Sequence, residues 1–99
     1  MKLWIDDIRP APNGYVWCKS VSQTKQVIRS SELRHETIKL LDIDHDAGDY
    51  AFDGGDYIKL LDLIEETGRN YPIRIHSMNP VGVENMRRII RKNGWKEVF

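Results

Sequence analysis

Leu40-Leu41-Asp42-Ile43-Asp44-His45-Asp46-Ala47-Gly48 decides the reading of this chain: an apolar run that breaks off in two carboxylates flanking an imidazole and then meets a glycine. Packing gives a hydrophobic strand no reason to finish in charge. Strand side chains alternate, so Asp44 and Asp46 lean to one side and His45 to the other, and the strand's end is charged on both faces. From Thr37 to Asp44 the chain is nearly continuously apolar. That is the pattern of a parallel strand covered on both faces, and it makes this the third and most buried strand.

Working outward, Leu3-Trp4-Ile5 reads as the first strand, closed by Asp6-Asp7 and by the turn formers Arg9-Pro10-Ala11-Pro12-Asn13-Gly14. Tyr15 to Cys18 is a second strand, and Ser20 and Gln23 have capping-box spacing for a helix to about Ser30 with Val21, Thr24, Val27 and Ile28 inward. Beyond Gly55, Asp56 to Glu65 has helical periodicity and Gly68 suits its C-terminal cap. Pro72 to Ser77 alternates as a fourth strand. Asn79-Pro80 then starts a helix that stops at Asn93-Gly94, with Val83, Met86, Ile89 and Ile90 inward and Arg87, Arg88, Arg91 and Lys92 outward. Trp95 to Phe99 is a closing strand, and core packing is expected of Trp4, Trp17 and Trp95.

Strands alternating with helices imply a three-layer, doubly wound parallel α/β sheet with right-handed crossovers in one domain over residues 1–99. The first crossover helix is short or absent and no helix follows the last strand. Lysine plus arginine and aspartate plus glutamate balance at 15 each, which argues against an electrostatic grip on long duplex DNA. With Cys18 as the sole cysteine and no run approaching the roughly 20 apolar residues of a membrane span, a soluble cytoplasmic protein is expected.

Three polar clusters each follow a strand directly: Asp6-Asp7, Asp44-His45-Asp46 and His76-Ser77-Met78-Asn79. In a sheet ordered 2-1-3-4-5, strands one, three and four are neighbours, and ligands bind beyond their carboxyl ends. The clusters are therefore expected to meet.

These residues carry a resemblance. Asp6-Asp7 with Arg9 and Pro10, the segment around Asp44-His45-Asp46, and His76-Ser77-Met78-Asn79-Pro80-Val81-Gly82 with Glu84-Asn85-Met86 resemble the cyclic-phosphate-processing receiver domains. The resemblance implies a flavodoxin-like receiver fold whose phosphorelay pocket is remade to handle cyclic phosphates on RNA ends or nucleotides. Ordinary receivers match less well, because their pocket needs a lysine at the carboxyl end of strand five, whereas Lys96 stands near its start.

Opening a cyclic phosphodiester needs a base for water, an acid for the leaving oxygen, and donors for the phosphoryl oxygens. His45 and His76 supply the first two in either assignment, with Asp44 or Asp46 orienting an imidazole. Arg9, Ser77, Asn79 and the first amides of the last helix, at Val81 and Gly82, suit phosphate. A metal version places Mg²⁺ or Mn²⁺ on Asp6, Asp7 and Asp44. Crowded carboxylates repel, so some positive partner is expected among them. The expected ligand is a small nucleotide or an RNA 3′ end with a cyclic phosphate. Two alternatives are a module that binds such a ligand without cleaving it and a degenerate receiver used for protein interaction.

Overall fold

Four short runs rich in β-branched and aromatic residues form the sheet of the computed structural model, which describes residues 1–99. They are β1 (Lys2–Ile5), β2 (Tyr15–Cys18), β3 (Leu40–Ile43) and β4 (Ile73–Ile75), parallel throughout and ordered β2-β1-β3-β4. The connecting helices are α1 (Val21–Leu33), α2 (Ile58–Thr67) and α3 (Pro80–Asn93). This is the expected receiver-like α/β fold in truncated form, with no helix between β1 and β2 and none after α3. No helix is long and apolar enough to cross a membrane.

Helix ends follow local chemistry. The Ser20 hydroxyl accepts from the Gln23 amide at 3.0 Å and donates to Asp53 at 2.7 Å, which starts α1. Asn79 caps α3 by accepting from the Gly82 amide, and Pro80 takes the first helical position. Gly68 and Gly94 end α2 and α3 in the left-handed conformation that costs glycine least. Asp56 accepts from the Ala47 amide and ties the loop after β3 to the start of α2.

The expected closing strand shrinks to a single bridge between Ile73 and Glu97. β4 is only three residues long, and the Trp95 amide turns back to Ile90 as the indole enters the core, so little backbone is left to pair. β3 likewise begins at Leu40 rather than Thr37.

Register separates the two faces of the sheet. Leu3 and Ile5 stand beside Leu41 and Ile43, which stand beside Ile73 and Ile75. Leu3, Ile5, Leu41, Ile43 and Ile73 share one buried cluster with Ile28 of α1, Leu60, Leu61 and Ile64 of α2, and Met86 and Ile90 of α3. Trp17, Trp4, Asp42 and Arg74 form a row pointing the other way. Alternation thus puts Trp4 and Trp17 opposite the core, contrary to expectation, while Trp95 packs within it. α1, α2 and α3 all pack on the core face, so no helix of the chain lies on this second face.

Leu41 is fully buried at the centre of the sheet. Leu41→Ala should lower the unfolding free energy by about 3 kcal/mol, measured by urea denaturation.

Candidate active site at the carboxyl ends of the strands

Parallel strands deliver their last residues to the same edge. β1 pairs with β3 and β3 with β4, so the three polar clusters do meet. The contact is direct: His76 Nε2 lies 2.9 Å from Asp6 Oδ2, across 70 residues of chain.

The other nitrogen of His76, Nδ1, lies 2.7 Å from Asp42 Oδ1. Carboxylate oxygens only accept, so both ring nitrogens must donate and the imidazole is held as its cation. The Trp4 indole stacks on the same ring, with centroids 3.9 Å apart and planes within 4°. A cation over an indole face is an attractive arrangement.

The chain of charges continues in both directions. Arg74 Nη1 reaches Asp42 Oδ2 at 3.1 Å. Arg9 Nε reaches Asp6 Oδ2 at 3.0 Å, and Arg9 Nη2 reaches Asp44 Oδ2 at 3.3 Å. Read in order, Arg74, Asp42, His76, Asp6, Arg9 and Asp44 alternate in sign, three cations with three anions. A third Arg9 contact, from Nη1 to the His76 carbonyl at 3.3 Å, ties the loop after β1 to that after β4.

Asp6 is the most fully engaged member. Its Oδ1 accepts from the Ile8 and Arg9 amides, both at 2.9 Å, and its Oδ2 from His76 and Arg9. Burial alone pushes this carboxyl up, but the two amides, His76 and the Arg9 charge together hold it below the ordinary carboxylate value. Neighbouring Asp7 goes the other way. Burial is the largest cause of its raised value, and the charges of Asp6, Asp44 and Asp49 add to it. No protein group donates a side-chain hydrogen bond to Asp7, whose carboxylate lies so close to the Gly48 Cα that any Cβ there would collide with it.

His45 occupies the opposite side of the β3 terminus from Asp44, as alternation requires. Its Nδ1 meets Asp46 Oδ1 at 2.8 Å, its amide donates to Asp44, and its carbonyl accepts from the Tyr57 amide. The ring packs on the first turn of α3 so closely that a Cβ on Gly82 would overlap it. No protein group bonds Nε2. Asn79 Nδ2 reaches the other oxygen of Asp46 at 3.4 Å, linking the β3 and β4 loops a second time. The Ser77 hydroxyl accepts from the Asn79 amide, and Val81 is exposed on the first turn of α3.

The residues expected from sequence thus lie in two groups. His76, Asp6, Asp44 and Arg9 form the alternating chain, while His45, Asp46, Asn79 and Gly82 gather at the start of α3, with Asp7 beside Gly48. Asp42 and Trp4 belong to the site and were missed. The signal for Asp42 was an acid in the middle of an apolar strand, since a fully buried carboxylate requires a cationic partner. Asp6, Asp7 and Asp44 have oxygens within 4.8 Å of one another, a spacing suited to a cation. Arg9 already bridges two of them, and all four lone-pair positions of Asp6 are taken, so a divalent ion would have to displace the guanidinium.

Asp42→Ala leaves the buried His76 Nδ1 without its acceptor while Asp6 still holds Nε2, and should cost about 1–3 kcal/mol in urea denaturation. The depressed Asp6 carboxyl adds stability that is complete above its ordinary value of 3.8 and is lost as pH falls through its lower folded-state value. Acid unfolding followed by tryptophan fluorescence should accordingly show a smaller stability loss between pH 4 and about pH 2 in Asp6→Asn than in the parent chain.

No curated protein and no solved structure matches the chain. The family model for cyclic-phosphate processing receiver domains matches residues 1–92, and the chain belongs to that family.

Proposed function

We propose that the protein hydrolyses a cyclic phosphodiester, a nucleoside or RNA-terminal 2′,3′-cyclic phosphate, with His45 as the proton-transfer group. One observation carries this reading: His45 has Nδ1 fixed by Asp46 at 2.8 Å and Nε2 free, on a ring wedged against Gly82. A carboxylate on one nitrogen sets the tautomer and makes the other nitrogen the acceptor.

In this reading water attacks phosphorus as His45 Nε2 takes its proton, a P–O bond to the ribose breaks, and the ring returns the proton to the released oxygen. The balance is the addition of one water. Arg9, about half exposed, faces the phosphoryl oxygens with guanidinium hydrogens not spent on Asp6 and Asp44. The Val81 amide at the start of α3 adds a donor. His76 moves no proton here. Locked between two carboxylates, it supplies fixed positive charge and keeps Asp6, and through it Arg9, in place.

The reading is metal-free, because the guanidinium of Arg9 already lies between Asp6 and Asp44. His45→Ala should reduce turnover of adenosine 2′,3′-cyclic phosphate at least 10²-fold with thermal stability near that of the parent. Turnover should persist in EDTA. Arg9→Ala should lose activity and, by freeing two carboxylates, bind Mn²⁺ more tightly than the parent in calorimetry. Full activity in His45→Ala, or loss in EDTA restored by Mn²⁺, would overturn this assignment. If the cyclic nucleotide binds and is recovered intact by mass spectrometry, the protein is a binding module instead.

A further inference from the structure

The face of the sheet opposite the three helices is not a generic surface. Trp4, Tyr15 and Trp17 project from it, each half-buried. Lys2 and Arg74 belong to the same face by register, and both are exposed. The bridge aligns Glu97 with Ile73, so alternation turns exposed Lys96 to the bare side. Lys19 joins them at the end of β2, its Nζ 4.4 Å from the centre of the Trp17 ring, while Lys2 Nζ lies 4.8 Å from that of Tyr15. The acids on this side, Asp42 in β3 and Asp6 and Asp44 just past the strand ends, are all buried and engaged by His76, Arg74 and Arg9. A chain with no net charge therefore presents one face of four cations and three aromatic rings.

We propose that this face binds the single-stranded RNA leading to the cyclic phosphate, so that the substrate is an RNA end rather than a free nucleotide. The proposal rests on the hydrolytic reading above for the identity of the terminal group. Rings and cations interleaved on an open sheet suit unpaired bases and their phosphates, and duplex bases, already stacked on each other, cannot use them. From β2 to β4 the sheet spans roughly 14 Å at ordinary strand spacing, room for two or three nucleotides. The platform is continuous with the site, because Trp4 lies in its row and stacks on His76. A second copy of the chain is the poorer occupant, since self-pairing would set four cations against four. RNA is specified over DNA by chemistry: a 2′,3′-cyclic phosphate needs the 2′-oxygen.

The test is fluorescence anisotropy with a labelled uridine pentamer carrying a 3′-hydroxyl, which reads the platform without the cyclic group, in the parent and in Lys2→Glu/Lys96→Glu. Neither lysine touches the proposed catalytic residues. The expected result is salt-dependent binding of the pentamer at least tenfold tighter than of uridine 3′-monophosphate and of a blunt RNA duplex. The double variant should lose about tenfold and flatten the salt slope by about 0.7 per contact removed, while hydrolysing adenosine 2′,3′-cyclic phosphate at the parent rate. Pentamer binding no tighter than the mononucleotide, or unchanged in the double variant, overturns the platform even if the cyclic nucleotide is hydrolysed. Pentamer binding as expected without hydrolysis upholds the platform and removes the hydrolytic reading. A dimer in sedimentation that the double variant dissolves assigns the face to a second copy and overturns the proposal.

Discussion

Three carboxylates delivered to one edge of a parallel sheet have to be neutralised, and the rest of the site follows from how this chain does it. Asp6, Asp42 and Asp44 come from adjacent strands only a few ångströms apart. Left unpaired at that separation in a partly dry environment they would oppose folding. The chain interleaves its own cations: His76 between Asp42 and Asp6, Arg9 between Asp6 and Asp44, and Arg74 at the far end. Each cation comes from a different segment than at least one acid it serves, so the network also fixes strand ends and loops relative to one another.

The same constraint explains why two histidines that look interchangeable in sequence have different environments. Both follow a strand run directly and both lie within hydrogen-bond distance of a carboxylate. His76 faces the bare side of the sheet, where Asp6 and Asp42 converge, and both its nitrogens are consumed. His45 faces the helical side, where only Asp46 reaches its ring and Gly82 gives it room. Strand alternation decides the partition, since His45 is one residue past Asp44 and points away from it.

Much of this was legible before any coordinates. Strand and helix order, the capping of α1 and α3, and the meeting of three distant clusters follow from apolar periodicity and the rules of parallel sheets. The need for a positive partner among the acids was also readable; its identity was not, because Arg9 reaches Asp44 through a loop whose path the local residues do not dictate. Asp42 was hidden by its neighbours, as a run scored apolar overall conceals one buried acid. Trp4 and Trp17 were misplaced for a related reason. Apolar runs in a strand say that burial is available but not on which side, and the register decided it.

Truncation and site chemistry are connected through Trp4. In a sheet covered on both sides, a residue in its position would be core. Here the first crossover is a loop that turns back far enough for the Trp4 indole to donate to the Arg9 carbonyl at 2.8 Å and for Trp17 to donate to the Asp6 carbonyl at 2.7 Å. Both tryptophans of the bare face thereby brace the loop carrying Asp6, Asp7 and Arg9. Losing the helix between β1 and β2 thus leaves the loop short enough to fold onto the site, and that fold brings a guanidinium in among the carboxylates.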